Sequence, residues 1–135
     1  MEISAQIPGI VKFLIYFASA MVLTALFLVI YVRVTPYREF ELIDHGNMAA
    51  AYSLSGALFG FIIPLGSAII HSVNIYDMVL WGAVALIVQI MIFFLVRIIF
   101  RGLTEAICEG VTSKGLFLGA LSLAAGILNA ACMSY

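Results

Sequence analysis

Few residues in this sequence have types and spacing that could support chemistry, and three of them interrupt long apolar runs. They are Pro64, Gln89 and Asn129. Proline removes a backbone donor and favours a helix kink, and polar side chains in an apolar setting are costly and often functional. A kink at Pro64 that faces Asn129 would form a small polar site. In the alternative interpretation, Ser67 satisfies the kink and Asn129 bonds between helices.

A second set of polar residues lies between the apolar runs and follows a repeated pattern. The pattern Arg-x7-Glu-x-Ile-x2-Gly begins at Arg33 and again, 64 residues later, at Arg97. Its glutamates are Glu41 and Glu105. Residues 37–43 and 103–107 mix charged with apolar residues in a way that is typical of short amphipathic helices at a membrane surface. The four charged residues are therefore candidate contacts for a partner protein, and the alternative is that the charges of both segments, including Glu39, form an ordinary solvated face.

The residue sets that catalysis or metal binding needs are not found. His45 and His71 lie in separate segments, and neither has a second His, Cys or carboxylate at the spacing of metal ligands. The sequence has no nucleophile–base pairing, glycine-rich phosphate loop or HExxH motif. We therefore predict a protein that is not an enzyme and has no catalytic, cofactor-binding or metal site. Cys108, in a predicted loop, and Cys132 are expected to be small buried thiols that do not pair.

The composition determines which elements must position these residues. Of the 135 residues, 65% are hydrophobic and 10% are charged, whereas a soluble domain has about 25% charged residues. Lipid is the solvent that suits such a chain. Four apolar runs cover about 10–34, 48–70, 78–100 and 115–133, and each has roughly the 20 residues that span a bilayer. They do not alternate as barrel strands do, so we predict an all-α membrane protein with four transmembrane helices.

The basic residues predict the orientation of these helices. Five of the six lysines and arginines flank the connections after the first and third predicted helices: Arg33, Arg38, Arg97, Arg101 and Lys114. The positive-inside rule places both connections in the cytoplasm, so both termini are expected on the outer side of the membrane. The net charge of −1 gives no indication of nucleic-acid binding.

The 64-residue spacing of the charged pattern also predicts an internal repeat within a single domain, 1–135. One unit covers about 10–71 and the other about 76–135, with two helices in each. An even number of crossings returns the chain to its starting side. The two units are therefore predicted to be parallel repeats, related by an axis along the membrane normal.

Small residues predict how the helices pack. The second predicted helix contains Gly56 and Gly60, and the fourth contains Gly115 and Gly119. Glycines at this spacing let two helix backbones approach closely in lipid, where packing drives association. We expect the second and fourth helices at the centre and the bulkier first and third helices outside them. The alternative is that these glycine faces form a homo-oligomer.

Several motifs together resemble a known family. They are 34–39 (VTPYRE), 49–51 (AAA), 55–56 (SG), 63–68 (IPLGSA), Asp77, 81–82 (WG), Gln89 and 128–133 (LNAACM). Their order is similar to that of the YjfL-type family of bacterial inner-membrane proteins, and the resemblance covers nearly the whole chain. It implies four spans built from a duplicated two-helix unit and a role in envelope maintenance or stress. It implies no activity or cofactor.

Two functions remain open from the sequence. In the first, a non-enzymatic inner-membrane module oligomerises or recruits a cytoplasmic partner through residues 33–46 and 97–114. In the second, a small passive channel or transporter has a path along the second and fourth helices, past Pro64 and Asn129. Because no Asp, Glu, Lys or Arg lies deep in a predicted span, a charge-coupled transporter is disfavoured.

Overall fold

A computed structural model describes residues 5–133 of the chain as six helices. They are α1 (Ile7–Val34), α2 (Glu39–Asp44), α3 (Met48–His71), α4 (Ile75–Ile99), α5 (Leu103–Cys108) and α6 (Thr112–Cys132). No strand occurs between residues 5 and 133. The four long helices, α1, α3, α4 and α6, are long and apolar enough to span a bilayer. The predicted all-α fold with four transmembrane helices is therefore confirmed.

Local capping explains where two of the long helices begin. The side chain of Asn47 accepts a hydrogen bond from the backbone N–H of Ala50 at 3.0 Å, and that of Asn74 accepts one from Asp77 at 2.9 Å. Asparagine at this position satisfies a backbone donor that the first helical turn leaves unpaired. The cap at Asn74 starts α4 at Ile75, three residues before the predicted start at residue 78.

The centre of the bundle is the pair α3 and α6, which run parallel and in direct backbone contact. A Cβ atom on Gly56 would overlap the backbone of Gly119, and one on Gly115 would overlap the backbone of Ala49. Further along, Gly126 contacts the backbone of Gly60 in the same way. Only glycine permits so close an approach of two helices.

The contact between α3 and α6 shows what the glycine faces of these two helices pack against. The four glycines of the predicted packing motif, Gly56, Gly60, Gly115 and Gly119, all lie buried within one chain. Their faces are filled by the partner helix, so they are the wrong surface for a homo-oligomer. A second copy of the chain would have to bind elsewhere.

Helix α1 is attached to the bundle through its second half. Its buried residues are Phe27 and Tyr31. The Phe27 ring stacks on that of Phe61 with centroids 4.5 Å apart, and Tyr31 meets the edge of Phe93 at 5.9 Å. The first half of α1 is almost entirely exposed, as expected of a helix that faces lipid.

The short helices α2 and α5 lie at one end of the bundle and end in the same way. The N–H of Gly46 donates to the carbonyl of Ile43, and that of Gly110 donates to the carbonyl of Ile107, each at 3.0 Å. The φ angles of Gly46 and Gly110 are 85° and 81°, a left-handed conformation that glycine adopts without strain. The starts of α2 and α5 are 64 residues apart, as are those of α3 and α6 (48 and 112). The internal repeat that the sequence predicts, with units at about 10–71 and 76–135, stays a prediction.

Candidate functional site

The predicted polar residue Gln89 links two helices across a glycine. It is fully buried in α4, and its Nε2 donates to the backbone carbonyl of Ser122 in α6 at 3.0 Å. A Cβ atom on Gly60 would lie 2.6 Å from that Nε2. Gly60 therefore leaves the space through which the Gln89 side chain reaches α6.

Pro64 and Asn129 occupy the next turns of α3 and α6. Pro64 is buried, and α3 continues through it to His71. The Nδ2 atom of Asn129 is buried and has no hydrogen-bond partner among residues 5–133. The hydroxyl of Ser67 lies 3.5 Å from His71 Nδ1. No hydrogen bond in the described chain joins Gln89 to Asn129, so the three predicted residues do not form one bonded site.

The four charged residues of the repeated pattern are all exposed: Arg33, Glu41, Arg97 and Glu105. Within residues 5–133 the one ion pair joins Arg38 to Glu41 at 3.4 Å, with side chains 88% and 55% exposed. An ion pair this exposed contributes little to stability. These charges are therefore free to meet solvent or a partner.

Asn47 holds the two charged segments together, and the sequence analysis predicts neither of its roles. While its side-chain oxygen caps α3, its Nδ2 donates to the carbonyl of Ile107 at the end of α5, at 2.8 Å. An asparagine before an apolar run is a recognisable cap signal. The bond to a residue 60 positions away depends on the packing of α3 against α5.

We expect Asn47→Ala to destabilise the protein by about 2 kcal/mol, since it removes a cap and a hydrogen bond that each contribute about 1 kcal/mol. The matched control is Asn74→Ala, which removes only a cap and should cost about 1 kcal/mol. Unfolding free energies in bicelles would measure both. Equal losses for the two variants would show that the bond to Ile107 adds nothing.

The connection between α1 and α2 buries an acidic residue that the amphipathic pattern predicts on a solvated face. Glu39 is 0% exposed, whereas Phe40 is 56% exposed. The prediction of a solvated face is therefore wrong for Glu39, although Glu41 is exposed as expected. The backbone is extended at Thr35 and at Arg38. Successive side chains of an extended segment point to opposite sides.

This alternation places three polar side chains on the inner side of the connection. Thr35, Tyr37 and Glu39 are buried, and the residues between them are exposed. The predicted amphipathic helix began at Tyr37, whereas α2 begins two residues later. Side chains of the extended connection return to the same side every second residue, whereas those of a helix do so every three or four residues. The period of two directs Glu39 inward.

Three buried hydroxyl side chains form a cluster near the Glu39 carboxyl group, those of Tyr31, Thr35 and Tyr37. Tyr31 and Tyr37 both interact electrostatically with Glu39, and Tyr37 also lies near Ser53 of α3. The Tyr31 hydroxyl is buried without a hydrogen-bond partner among the described residues, whereas the Tyr37 and Thr35 hydroxyls lie within hydrogen-bonding reach of the Glu39 carboxyl group. Buried polar groups are normally paired, and in this cluster the pairing is between the hydroxyls of Tyr37 and Thr35 and the Glu39 carboxyl group.

Burial dominates the protonation of this cluster. It raises the pKa of the Glu39 carboxyl to about 8, and the nearby Tyr37 and Thr35 side chains oppose this shift only in part. Burial and the Glu39 carboxylate together raise the pKa of Tyr37 above its usual range. None of the groups that shift the pKa of Glu39 is basic, and the adjacent Arg38 pairs with Glu41 instead.

Of the cysteines and histidines, Cys108 and His45 line a depression that Tyr37 also lines, whereas His71 and Cys132 end α3 and α6. Cys108 and Cys132 are unpaired and exposed, each at the last position of a short or long helix. The prediction that they are buried is wrong, because helix ends at the surface of a bundle are less covered than helix middles. Across residues 5–133, no group of three His, Cys, Asp or Glu side chains is placed to hold a metal ion.

Comparison with known proteins gives the family. The family described as "Domain of Unknown Function (DUF350)" matches residues 4–133. The "UPF0719 inner membrane protein YjfL" of Escherichia coli (strain K12) is 40% identical over 129 residues, which cover 96% of this chain and 98% of the relative. The "UPF0719 transmembrane protein YshE" of Bacillus subtilis (strain 168) is 26% identical over 86 residues, 64% of each chain.

No solved structure matches the chain. The full-length match to the E. coli protein and the four spanning helices agree with the resemblance that the sequence motifs indicate, and they support placement in a bacterial inner membrane. The chain is an integral membrane protein that belongs to the DUF350 (UPF0719) family.

Proposed function

We propose that the protein is a non-enzymatic module of the inner membrane that binds a partner protein through the end carrying α2 and α5. One observation carries this proposal. Helix α5 is held against the bundle by the buried side chains of Leu103 and Ile107, and α2 buries Glu39. The four charged residues of the repeated pattern remain exposed around them: Arg33, Glu41, Arg97 and Glu105. The Asn47 bond to Ile107 fixes one segment relative to the other.

A surface of mixed, exposed charge on a rigid support suits recognition of a complementary protein. Charges at the rim of an interface steer association and select partners more than they add affinity. The partner is expected on the cytoplasmic side, because five of the six basic residues flank the connections that contain α2 and α5. Such a partner would be consistent with a role in envelope maintenance or stress, which the family resemblance implies.

The alternative of a passive channel along α3 and α6 is less well supported. Water needs a continuous polar path, and the backbones of these helices touch at Gly56 and Gly119. Gln89 is a buried amide on α4, and Asn129 is a separate, half-buried amide on α6. Their role is better explained by helix packing, because Gln89 already spans the space to Ser122.

We expect reversal of the four charges in one variant (Arg33→Glu, Glu41→Lys, Arg97→Glu, Glu105→Lys) to reduce co-purification of the partner at least about tenfold. Because all four side chains are exposed, folding stability should change by less than about 1 kcal/mol. Cross-linking in cells followed by quantitative mass spectrometry would measure the partner, and mass photometry in nanodiscs would measure the assembly.

The control is Lys12→Glu, an exposed basic residue near the start of α1 and so at the opposite end of that helix from Arg33. It should leave both the partner and the assembly unchanged. If the fourfold variant kept every cross-linked partner and the same assembly mass as the wild-type protein, this function would be excluded.

A further inference from the structure

A second surface feature lies beside α5, apart from the cluster around Glu39. It is an open hollow of about 350 Å³ between the end of α4, the start of α5 and the first turns of α6. Its lining residues are Phe100, Leu103, Ser113, Lys114 and Phe117, and none of them is acidic. Because α4 and α6 are both membrane spans, a hollow between their adjacent ends lies at the depth of the lipid headgroups.

Two aromatic rings and a buried leucine give this hollow its apolar surface. The rings of Phe100 and Phe117 meet edge to face with their centroids 5.4 Å apart, and Leu103 is 3% exposed. The Phe117 side chain is itself 48% exposed, so the apolar surface is open towards lipid and is not sealed inside the bundle. An acyl chain that lies against the outer face of α6 can therefore continue into the hollow.

Lys114 adds a positive charge to this apolar surface. Its Nζ atom lies 5.9 Å from the centroid of the Phe100 ring, a distance at which the ring attracts the ammonium group. Lys114 is exposed, and its side chain has no ion pair or hydrogen bond within residues 5–133. The ring attracts the cation without neutralising it, so the three N–H donors of the ammonium group stay available for an anion.

The position of Lys114 is unfavourable for α6 itself. Lys114 is the third residue of α6, and the first turn contains no acidic residue. The first turn is the positive end of the helix dipole, where negative charge is stabilising and positive charge is not. Arg97 and Arg101 already give this connection basic residues next to a membrane span. The place of Lys114 is therefore better explained by an anion that it binds than by the stability of the helix.

We propose that this hollow binds an anionic phospholipid, with the phosphate at Lys114 and an acyl chain against Phe100 and Phe117. Lipid is in large excess at this depth, so the hollow selects among lipids more than it competes with water. A zwitterionic headgroup brings its own ammonium group towards Lys114, whereas phosphatidylglycerol carries only the negative phosphate. Basic pockets between membrane helices on the cytoplasmic side, where the basic residues predict this end of the bundle, recognise lipids by this chemistry.

The expected selectivity is modest because a single lysine lines the hollow. One basic side chain near a membrane surface contributes a preference of about fivefold for an anionic lipid. Arg101 is exposed directly after Phe100 and adds to the positive potential, whereas Glu105 and Glu109 of the same connection reduce it. The lipid site does not depend on the proposed partner surface, since Lys114 is not one of the four charged residues of that surface.

Photo-crosslinking of the purified full chain in nanodiscs would test the site. A phosphatidylcholine bilayer receives a small, equal fraction of either phosphatidylglycerol or phosphatidylcholine that carries a diazirine on one acyl chain, and mass spectrometry identifies the labelled residues. We expect phosphatidylglycerol to label residues 100–117 about fivefold more than phosphatidylcholine does. Raising the ionic strength to about 1 M shortens the screening length to about 3 Å and should reduce this preference.

Lys114→Gln should fold, because the side chain is exposed, and should lose the preference, whereas Lys114→Arg should keep it. Arg38→Gln is the matched control, because Arg38 is an exposed basic residue of the other connection and is already paired with Glu41. It should be labelled as the wild type is. Equal labelling of residues 100–117 by the two lipids in the wild type, or a preference that survives in Lys114→Gln, would overturn the proposal.

Two further measurements separate a lipid from other occupants of the hollow. Inorganic phosphate in millimolar amounts should leave the lipid labelling unchanged, and loss of the label would instead indicate a site for a free anion. Chemical protein cross-linking of the same sample would detect a second copy of the chain. A dimer cross-linked through residues 100–117, without lipid label there, would show that protein covers the hollow. Either result would overturn the lipid site.

Discussion

Replacing Gly56 with alanine is expected to destabilise the bundle by about 2 kcal/mol or more, although alanine is the better helix former. The added methyl group would overlap the backbone of Gly119 on α6. Backbone atoms cannot turn away as a flexible side chain can, so α3 and α6 must separate along their length. Because packing, and not the hydrophobic effect, holds helices together in lipid, the lost contacts are not replaced.

The matched control is Gly66→Ala on the same helix, where an added methyl group meets nothing within 4 Å. That variant should be neutral or should gain up to about 1 kcal/mol from helix propensity. Unfolding free energies measured by steric trapping in bicelles would compare the two. An unchanged free energy for Gly56→Ala would mean that the close approach of α3 and α6 does not occur in the membrane.

Replacing Phe61 with alanine is expected to release α1 from the bundle. Phe61 is 0% exposed and stacks on Phe27 with ring planes 2° apart. We expect a loss of about 2–3 kcal/mol, below the 3–5 kcal/mol usual in soluble cores, because lipid solvates the exposed ring but does not fill the cavity. Few other buried residues hold α1, so the loss falls on one helix.

Phe59→Ala on the same helix is the control, because that ring is 57% exposed and faces lipid. It should change the unfolding free energy by less than about 1 kcal/mol. Spin labels on α1 and α3, in a chain whose two exposed cysteines are replaced by serine, would report the distance between the helices. A narrow, wild-type distance distribution in Phe61→Ala would contradict the expected release of α1.

The sequence was sufficient to predict every membrane span to within a few residues. Apolar runs of this length are excluded from water whatever their neighbours are, so local composition alone determines that they become helices. The two short helices between them were predicted for a similar reason, since their mixed charged and apolar residues suit a membrane boundary. Glycine spacing likewise indicated which helices approach closely.

The tertiary structure decided how individual side chains are used. The glycines at 56 and 119 could have met a second copy, and only the packing of one chain shows that they meet each other. Asn47 reads as a cap in the sequence, but its bond to Ile107 depends on two segments 60 residues apart. Such contacts are set by non-local geometry, which a local pattern does not contain.

Glu39 shows most clearly the difference between what the sequence determines and what the tertiary structure determines. Its neighbours, Arg38 and Glu41, are exposed charges, and the sequence offers no sign that this one carboxylate is buried. Its direction follows from an extended connection whose register places residues 35, 37 and 39 inward, beneath α1 and α3. By itself the sequence determined that this chain lies in a membrane, because the free energy of transfer into lipid depends on each side chain and not on its neighbours in the fold. Only the tertiary structure decided which polar groups are taken out of water, because burial is a property of all the elements packed together.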